Sequence, residues 1–231
     1  MPNGVELNSA NRFVCSIYQK TSDVVIFPSY YSRTWGASML DRVKIWEAAR
    51  ATSAASSFFE PLVIDGKTFA DGATGANNPV YEMWAEALSQ FSIDNESSLE
   101  TNIKCLVSIG TGVPSPKPFG PGLKDIFMAL KTIATEVEAT AKQFQRQHPF
   151  LDKQGALFRF NVLHGLGDIG LEEADRLGDI EACTYQYCAS PTVLHQIETC
   201  VEKLKSRPCK FFHLFAAIDV RFMSASMLEI A

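Results

Sequence analysis

The stretch TFADGATGANNPV, Thr68 to Val80, concentrates the residue types that could do chemistry. One carboxylate, Asp71, precedes Gly72 and Ala73, and a further glycine follows at Gly75. Glycines in such a run permit positive φ and close approach of two backbones. A carboxylate fixed by such a loop at a strand end has the properties of a general base. The same residues also read as an Asp-Gly turn followed by a capped helix, which is a purely structural use.

Other reactive types give weaker patterns. Gly110-Thr111-Gly112 ends an apolar run, and glycine N–H groups can cradle anions. That turn is too short for a Walker loop or a dinucleotide fingerprint, and a tight strand-end turn accounts for it. The four histidines, His148, His164, His195 and His213, fall in no motif and read as structural or surface residues. Arg50, in AARATSAA, reads as an ion-pair partner or a lipid-headgroup contact, and its small neighbours favour the structural role. Trp46 and Trp84 fit apolar helix faces and read as core. The six cysteines, Cys15, Cys105, Cys183, Cys188, Cys200 and Cys209, make no C-x-x-C pair, so no zinc site is expected. Scattered thiols and no signal-peptide pattern in MPNGVELNSANR point to reduced cysteines in an intracellular protein.

These residues must be positioned by regular elements. FVCSIY (13–18) and VVIFPSY (24–30) read as strands. Residues 38–55 show helical spacing at Met39, Leu40, Val43 and Trp46. Asp65-Gly66 between Leu62-Val63-Ile64 and Thr68-Phe69 predicts a hairpin, because the pair suits a turn with positive φ. Its second arm leads straight into Asp71. Asn78 and Pro79 predict a helix start, with Glu82 favoured in the first turn. IKCLVSI reads as a buried strand, 123–145 as a long amphipathic helix, LFRFNVL as a strand, and Ser190 onward as a capped helix. Strands alternate with helices, so the expected class is α/β, a layered sheet with flanking helices.

The totals exclude several functions. With 231 residues, 46% of them hydrophobic, the chain can bury a sizeable core. A net charge of −5 argues against nucleic-acid binding, which needs a basic face, and supplies no polybasic drive toward anionic membranes. No stretch approaches the roughly 20 apolar residues of a membrane span. The nearest, FFHLFAAI, is too short and contains His213.

Four segments taken in order carry a family resemblance: IWEAARATSAASSFFEP, DGATGANNP, CLVSIGTG and FRFNVLHGLGDIGLEEADRLGDIEACT. Together they resemble the patatin-like phospholipases, the fungal members most closely, from about Phe13 to Leu204. The resemblance implies a patatin-like (FabD/lysophospholipase-like) α/β fold and acyl hydrolysis of phospholipids or related lipid esters. It implies a Ser-Asp dyad without histidine, a nucleophile in G-x-S-x-G and an oxyanion loop rich in glycine. The aspartate lies in a D-G-[GA] motif, here Asp71-Gly72-Ala73, so by the resemblance Asp71 is the base. The implied substrate is a phospholipid or other acyl-lipid, with transient membrane-surface contact, no nucleic acid, no metal and no cofactor. The implied location is cytoplasmic or peripheral to membranes.

The chain departs from the family in two motifs. It contains no G-x-S-x-G and no Gly-Gly-Gly-x-Arg-Gly loop. WGASML has Gly36 and Ser38 but Leu40 where the second glycine belongs, and Ser53, Ser56 and Ser57 lack flanking glycines. The expectation is a partial domain over 1–207, lacking the first β-α units and the nucleophile serine, followed by a divergent tail over 208–231. Two accounts follow. Either the chain is the C-terminal part of a hydrolase, with other domains of a longer chain as partners, whose serine comes from an upstream segment or a complementing chain, or it is a non-catalytic truncated lipid-binding or regulatory module or an unstable remnant.

Overall fold

A computed structural model describes residues 12–34, 42–55, 58–90, 96–113, 124–166, 169, 173–205 and 212–216; the side chains of 74, 96–98, 124–134 and 212–216 are outside that description. The class is the expected mixed α/β, with two sheets and flanking helices. The chain divides into two compact units, residues 1–76 and 77–231.

In the first unit, β1 (Phe13–Tyr18) and β2 (Asp23–Pro28) are followed by α1 (Ile45–Thr52), β3 (Leu62–Ile64), β4 (Lys67–Asp71) and the single turn α2 (Ala73–Ala76). The strands form an antiparallel sheet in the order β2-β1-β4-β3. The hairpin expected at Asp65-Gly66 is present, with φ of 52° and 75° at the two residues, the geometry that a two-residue turn with right-handed strand twist requires. Period-two alternation sends Val25, Phe27, Ile64 and Phe69 to one face, where Ala51 of α1 closes over them. Cys15 and Ile26 occupy the other face with Ala76 of α2. Both faces are therefore covered. Each fully buried large side chain contributes about 2 kcal/mol through the apolar surface it removes from water. Two hydroxyls tie α1 to the sheet: Thr52 Oγ1 donates to the Cys15 carbonyl at 2.6 Å, and Ser16 Oγ to that of Ala51 at 3.3 Å.

The helix expected over 38–55 is shorter. It begins at Ile45 because the Glu47 carboxylate accepts the Lys44 N–H at 2.8 Å and so satisfies its first turn. Residues 43 and 44 are not helical, and Met39 and Leu40 lie outside the described residues.

The second unit runs α3 (Val80–Gln90), α4 (Glu96–Asn102), β5 (Ile103–Ile109), α5 (Lys124–Gln147), α6 (Pro149–Lys153), β6 (Leu157–Phe160), α7 (Leu177–Ala189), α8 (Pro191–Lys205) and β7 (Phe212–Ala216). Its sheet is parallel, in the order β6-β5-β7. Parallel neighbours need a crossover, and α5 and α6 provide it between β5 and β6. Trp84 is buried as expected, packed edge-on against Phe144 with ring centroids 5.4 Å apart. Asn78, expected as a cap, gives its amide to the Val137 carbonyl. The stretch FFHLFAAI contributes β7. No helix among the described residues is long and apolar enough to cross a membrane.

Candidate functional site

Asp71 is the last residue of β4, paired in register with Ser16 of β1, and is 8% exposed. Its backbone N–H donates to the Ala54 carbonyl at 3.1 Å, which fastens the strand end to the residues after α1. Its carboxylate Oδ1 accepts the Ala73 N–H at 2.9 Å. The side chain thus caps the turn that it begins, and this bond fixes its direction.

Gly72 is required by its surroundings. A Cβ there would lie 2.8 Å from the Cys15 carbonyl carbon, inside van der Waals contact with backbone that cannot swing away. At Gly75 a Cβ would come 3.2 Å from Ile17 Cδ1, so α2 lies directly on the sheet. The glycines of this segment serve close packing. The carboxylate lies at a strand end, with its Oδ1 on the Ala73 N–H and its backbone N–H on the Ala54 carbonyl.

The serines considered as substitutes are placed unequally. Ser53 follows α1 directly, one residue before the carbonyl that holds Asp71 N–H. Ser38, Ser56 and Ser57 lie outside the described residues. Ser16, Asp71's register partner, is completely buried and spends its hydroxyl on the Ala51 and Ala70 carbonyls.

Arg50 makes contacts within its own unit, and its Nη1 is buried without a hydrogen-bond partner. Its Nη2 donates to the Glu60 carbonyl at 2.8 Å, and the guanidinium lies 4.9 Å from the Phe59 ring centroid. Trp46 corrects an expectation: it is 58% exposed and not core. Only about one face of the short α1 meets the sheet, and its buried residues are Ala51 and Thr52 at the far end. His148 is buried, its Nδ1 2.6 Å from Glu100 Oε1, and it stacks beside Trp84 and Phe144. His164 and His195 are exposed, and the His213 side chain is outside the described residues.

The Gly110-Thr111-Gly112 turn has no amide donors to spare at its glycines. Gly110 N–H donates to the Phe160 carbonyl at 2.8 Å and Gly112 N–H to Asn161 Oδ1 at 2.7 Å. The strand-end reading holds. Among the described residues no group of three or more His, Cys, Asp or Glu is arranged to hold a metal ion.

Sequence reasoning missed a polar cluster in the second unit. Ser108 of β5 and Arg159 of β6 are register partners, and Arg159 Nη1 donates to Ser108 Oγ at 2.9 Å. Glu138 Oε1 accepts from Arg159 Nη2 and Asn161 Nδ2, each at 2.8 Å. The available signal was Ser108 itself, a polar residue within the apolar run CLVSI.

The family model for patatin-like phospholipases matches residues 20–84, the span that holds α1, β4 and Asp71. Phospholipase A I of Arabidopsis thaliana is 27% identical over 184 residues, covering 78% of this chain and 12% of that protein. The chain spans only a small part of that relative's length.

Proposed function

We propose, on the premise of the match between residues 20–84 and the family model for patatin-like phospholipases, that the chain is part of a lipid acyl hydrolase in which Asp71 is the base. The observation that carries this reading is the Asp71 turn: a carboxylate at a strand end, oriented by the Ala73 N–H and seated by the contact of Gly72 with Cys15. The serine comes from outside these residues, since they contain no G-x-S-x-G. A serine hydroxyl is a weak nucleophile until a base accepts its proton. In the proposed step the Asp71 carboxylate takes that proton as Oγ forms a bond to the ester carbonyl carbon. The protonated Asp71 returns it to the leaving alcohol as the ester C–O bond breaks. Water, deprotonated by Asp71, then releases the fatty acid and restores the serine.

Substrate class follows from the family and from the relative's name: a phospholipid or other acyl-lipid, met at a lipid surface. Exposed Ile45, Trp46, Phe58, Phe59 and Val63 support transient contact with such a surface, since aromatic and aliphatic groups partition into the interface.

The test uses a fluorophosphonate, which reports an activated serine. The 231-residue chain by itself should not label or hydrolyse a phospholipid. The chain extended upstream by an in-frame G-x-S-x-G segment should do both, and Asp71→Asn should lower the hydrolysis by roughly 10²- to 10⁴-fold. If the chain alone hydrolyses ester and loses this in Asp71→Ala, the reading of an external serine is wrong, and Ser53 and Ser38 become the candidates.

A further inference from the structure

The second unit holds a cleft of about 90 Å³, lined from α5, β5, β6 and the start of α3. Its size suits several waters or one small oxyanion. Its charged lining residues are Lys142 and Arg159, and no carboxylate lines it among the described residues. Two cationic residues line one cleft in a chain of net charge −5, a local feature and not a general surface property.

The hydrogen-bond inventory shows what the cleft lacks. Glu138 and Ser108 accept from the two terminal nitrogens of Arg159, which locks the guanidinium plane. The remaining Arg159 Nε–H is buried without a partner. A buried donor left unpaired is costly, and native structures seldom keep one without a use. Ser108 Oγ accepts from Arg159, so its own hydrogen is available to donate. Asn78 gives one amide hydrogen to Val137 and keeps a second. Lys142, on the exposed side, forms no ion pair among the described residues. Phe144 and Leu157 supply apolar walls that strengthen charge-assisted bonds by limiting water.

We propose that this cleft binds a phosphate-type oxyanion, held by Arg159 Nε–H, Lys142 Nζ, Ser108 Oγ–H and Asn78 Nδ2–H. Donors from four separate side chains suit a tetrahedral anion, whereas a planar carboxylate is usually met by a two-toothed fork. The same chemistry is offered by free phosphate and by a phospholipid headgroup. The assignment does not depend on Asp71, so it stands or falls separately from the proposed function.

Inorganic phosphate titrated calorimetrically into the full chain at fixed ionic strength should give saturable binding. Lys142→Glu should weaken it by at least about tenfold, since one charge-assisted bond is replaced by repulsion. Ser108→Ala should weaken it severalfold. Lys142 is exposed, so the variant should keep its fold, which circular dichroism checks. A second arm asks whether vesicles of phosphatidylcholine with phosphatidic acid sediment the chain and whether phosphate competes. Competition assigns the site to a headgroup. Phosphate binding with no vesicle binding assigns it to a free or soluble phosphate. Absence of saturable binding in both arms, or equal binding by Lys142→Glu, overturns the proposal.

Discussion

Asp71 and Arg159 are both charged groups near strand ends, but their supports come from very different distances along the chain. Asp71 is oriented by Ala73, two residues on, and by backbone contacts from Cys15 and Ala54. Arg159 is held by Ser108 and Glu138, which reach it only because the parallel register of β5 and β6 sets Ser108 opposite it and α5 returns between them. The first site is a local motif resting on a backbone contact. The second is a network of side chains that exists only in the folded unit. Removing a side chain from the first should cost chemistry and little stability, and from the second mainly stability.

The sharpest break in that comparison is Asp71→Asn in a chain supplied with the serine. Hydrolysis should fall by roughly 10²- to 10⁴-fold, the usual contribution of a positioned base. Asparagine keeps an acceptor for the Ala73 N–H, so urea unfolding should shift by less than about 1 kcal/mol. A large loss of stability alongside lost activity would mean that Asp71 is chiefly structural.

Next in size is Gly72→Ala, expected to destabilise by about 3 kcal/mol through overpacking against the Cys15 backbone. Gly66→Ala is its control: the added Cβ meets nothing, and only the positive φ is penalised, by about 1 kcal/mol. Equal urea midpoints for the two variants would remove the backbone contact from the account of the Asp71 turn.

Glu138→Ala should cost about 2 kcal/mol, because Arg159 and Asn161 lose a shared acceptor in a partly buried site. Denaturation curves of Glu138→Ala, Arg159→Ala and the double variant should show the two changes strongly non-additive.

The last effect concerns pH. Cys105 and Cys200 lie 3.8 Å apart, Sγ to Sγ, in the core of the second unit. Burial, then the neighbouring Cys200, pushes the Cys105 thiol from 9.0 up to about 12. Folded protein therefore keeps this proton where unfolded chain has lost it. The unfolded state binds fewer protons above pH 9, so stability should fall from there toward pH 12 and be unaffected by this group below pH 9. Cys105→Ala should flatten that slope. An unchanged slope would mean that the thiol is not held in its neutral form.

Legibility in the sequence followed the same division. The Asp65-Gly66 hairpin, the strands at 13–18 and 103–109 and the helix from Pro191 were readable because turn chemistry and apolar period are local. The Asp71 turn was readable for the same reason. Trp46 was misread because an apolar position on a helix says nothing about whether a neighbour covers it. Helix α7 was missed because none of its side chains is buried, so no apolar stripe of helical period marks it. The polar cluster was invisible because Ser108, Glu138 and Arg159 are scattered along the chain and share no motif.

By itself, the sequence determined which residues begin and end most elements, the D-G-A turn and the lack of a G-x-S-x-G serine, since each depends on near neighbours in the chain. Only the tertiary structure decided why position 72 must be glycine, that Trp84 is covered and Trp46 is not, and that Arg159 keeps an unsatisfied donor and lines a cleft that Lys142 also lines. Those depend on backbones and side chains brought together by sheet register and helix packing, where one added methyl or one missing acceptor is felt directly.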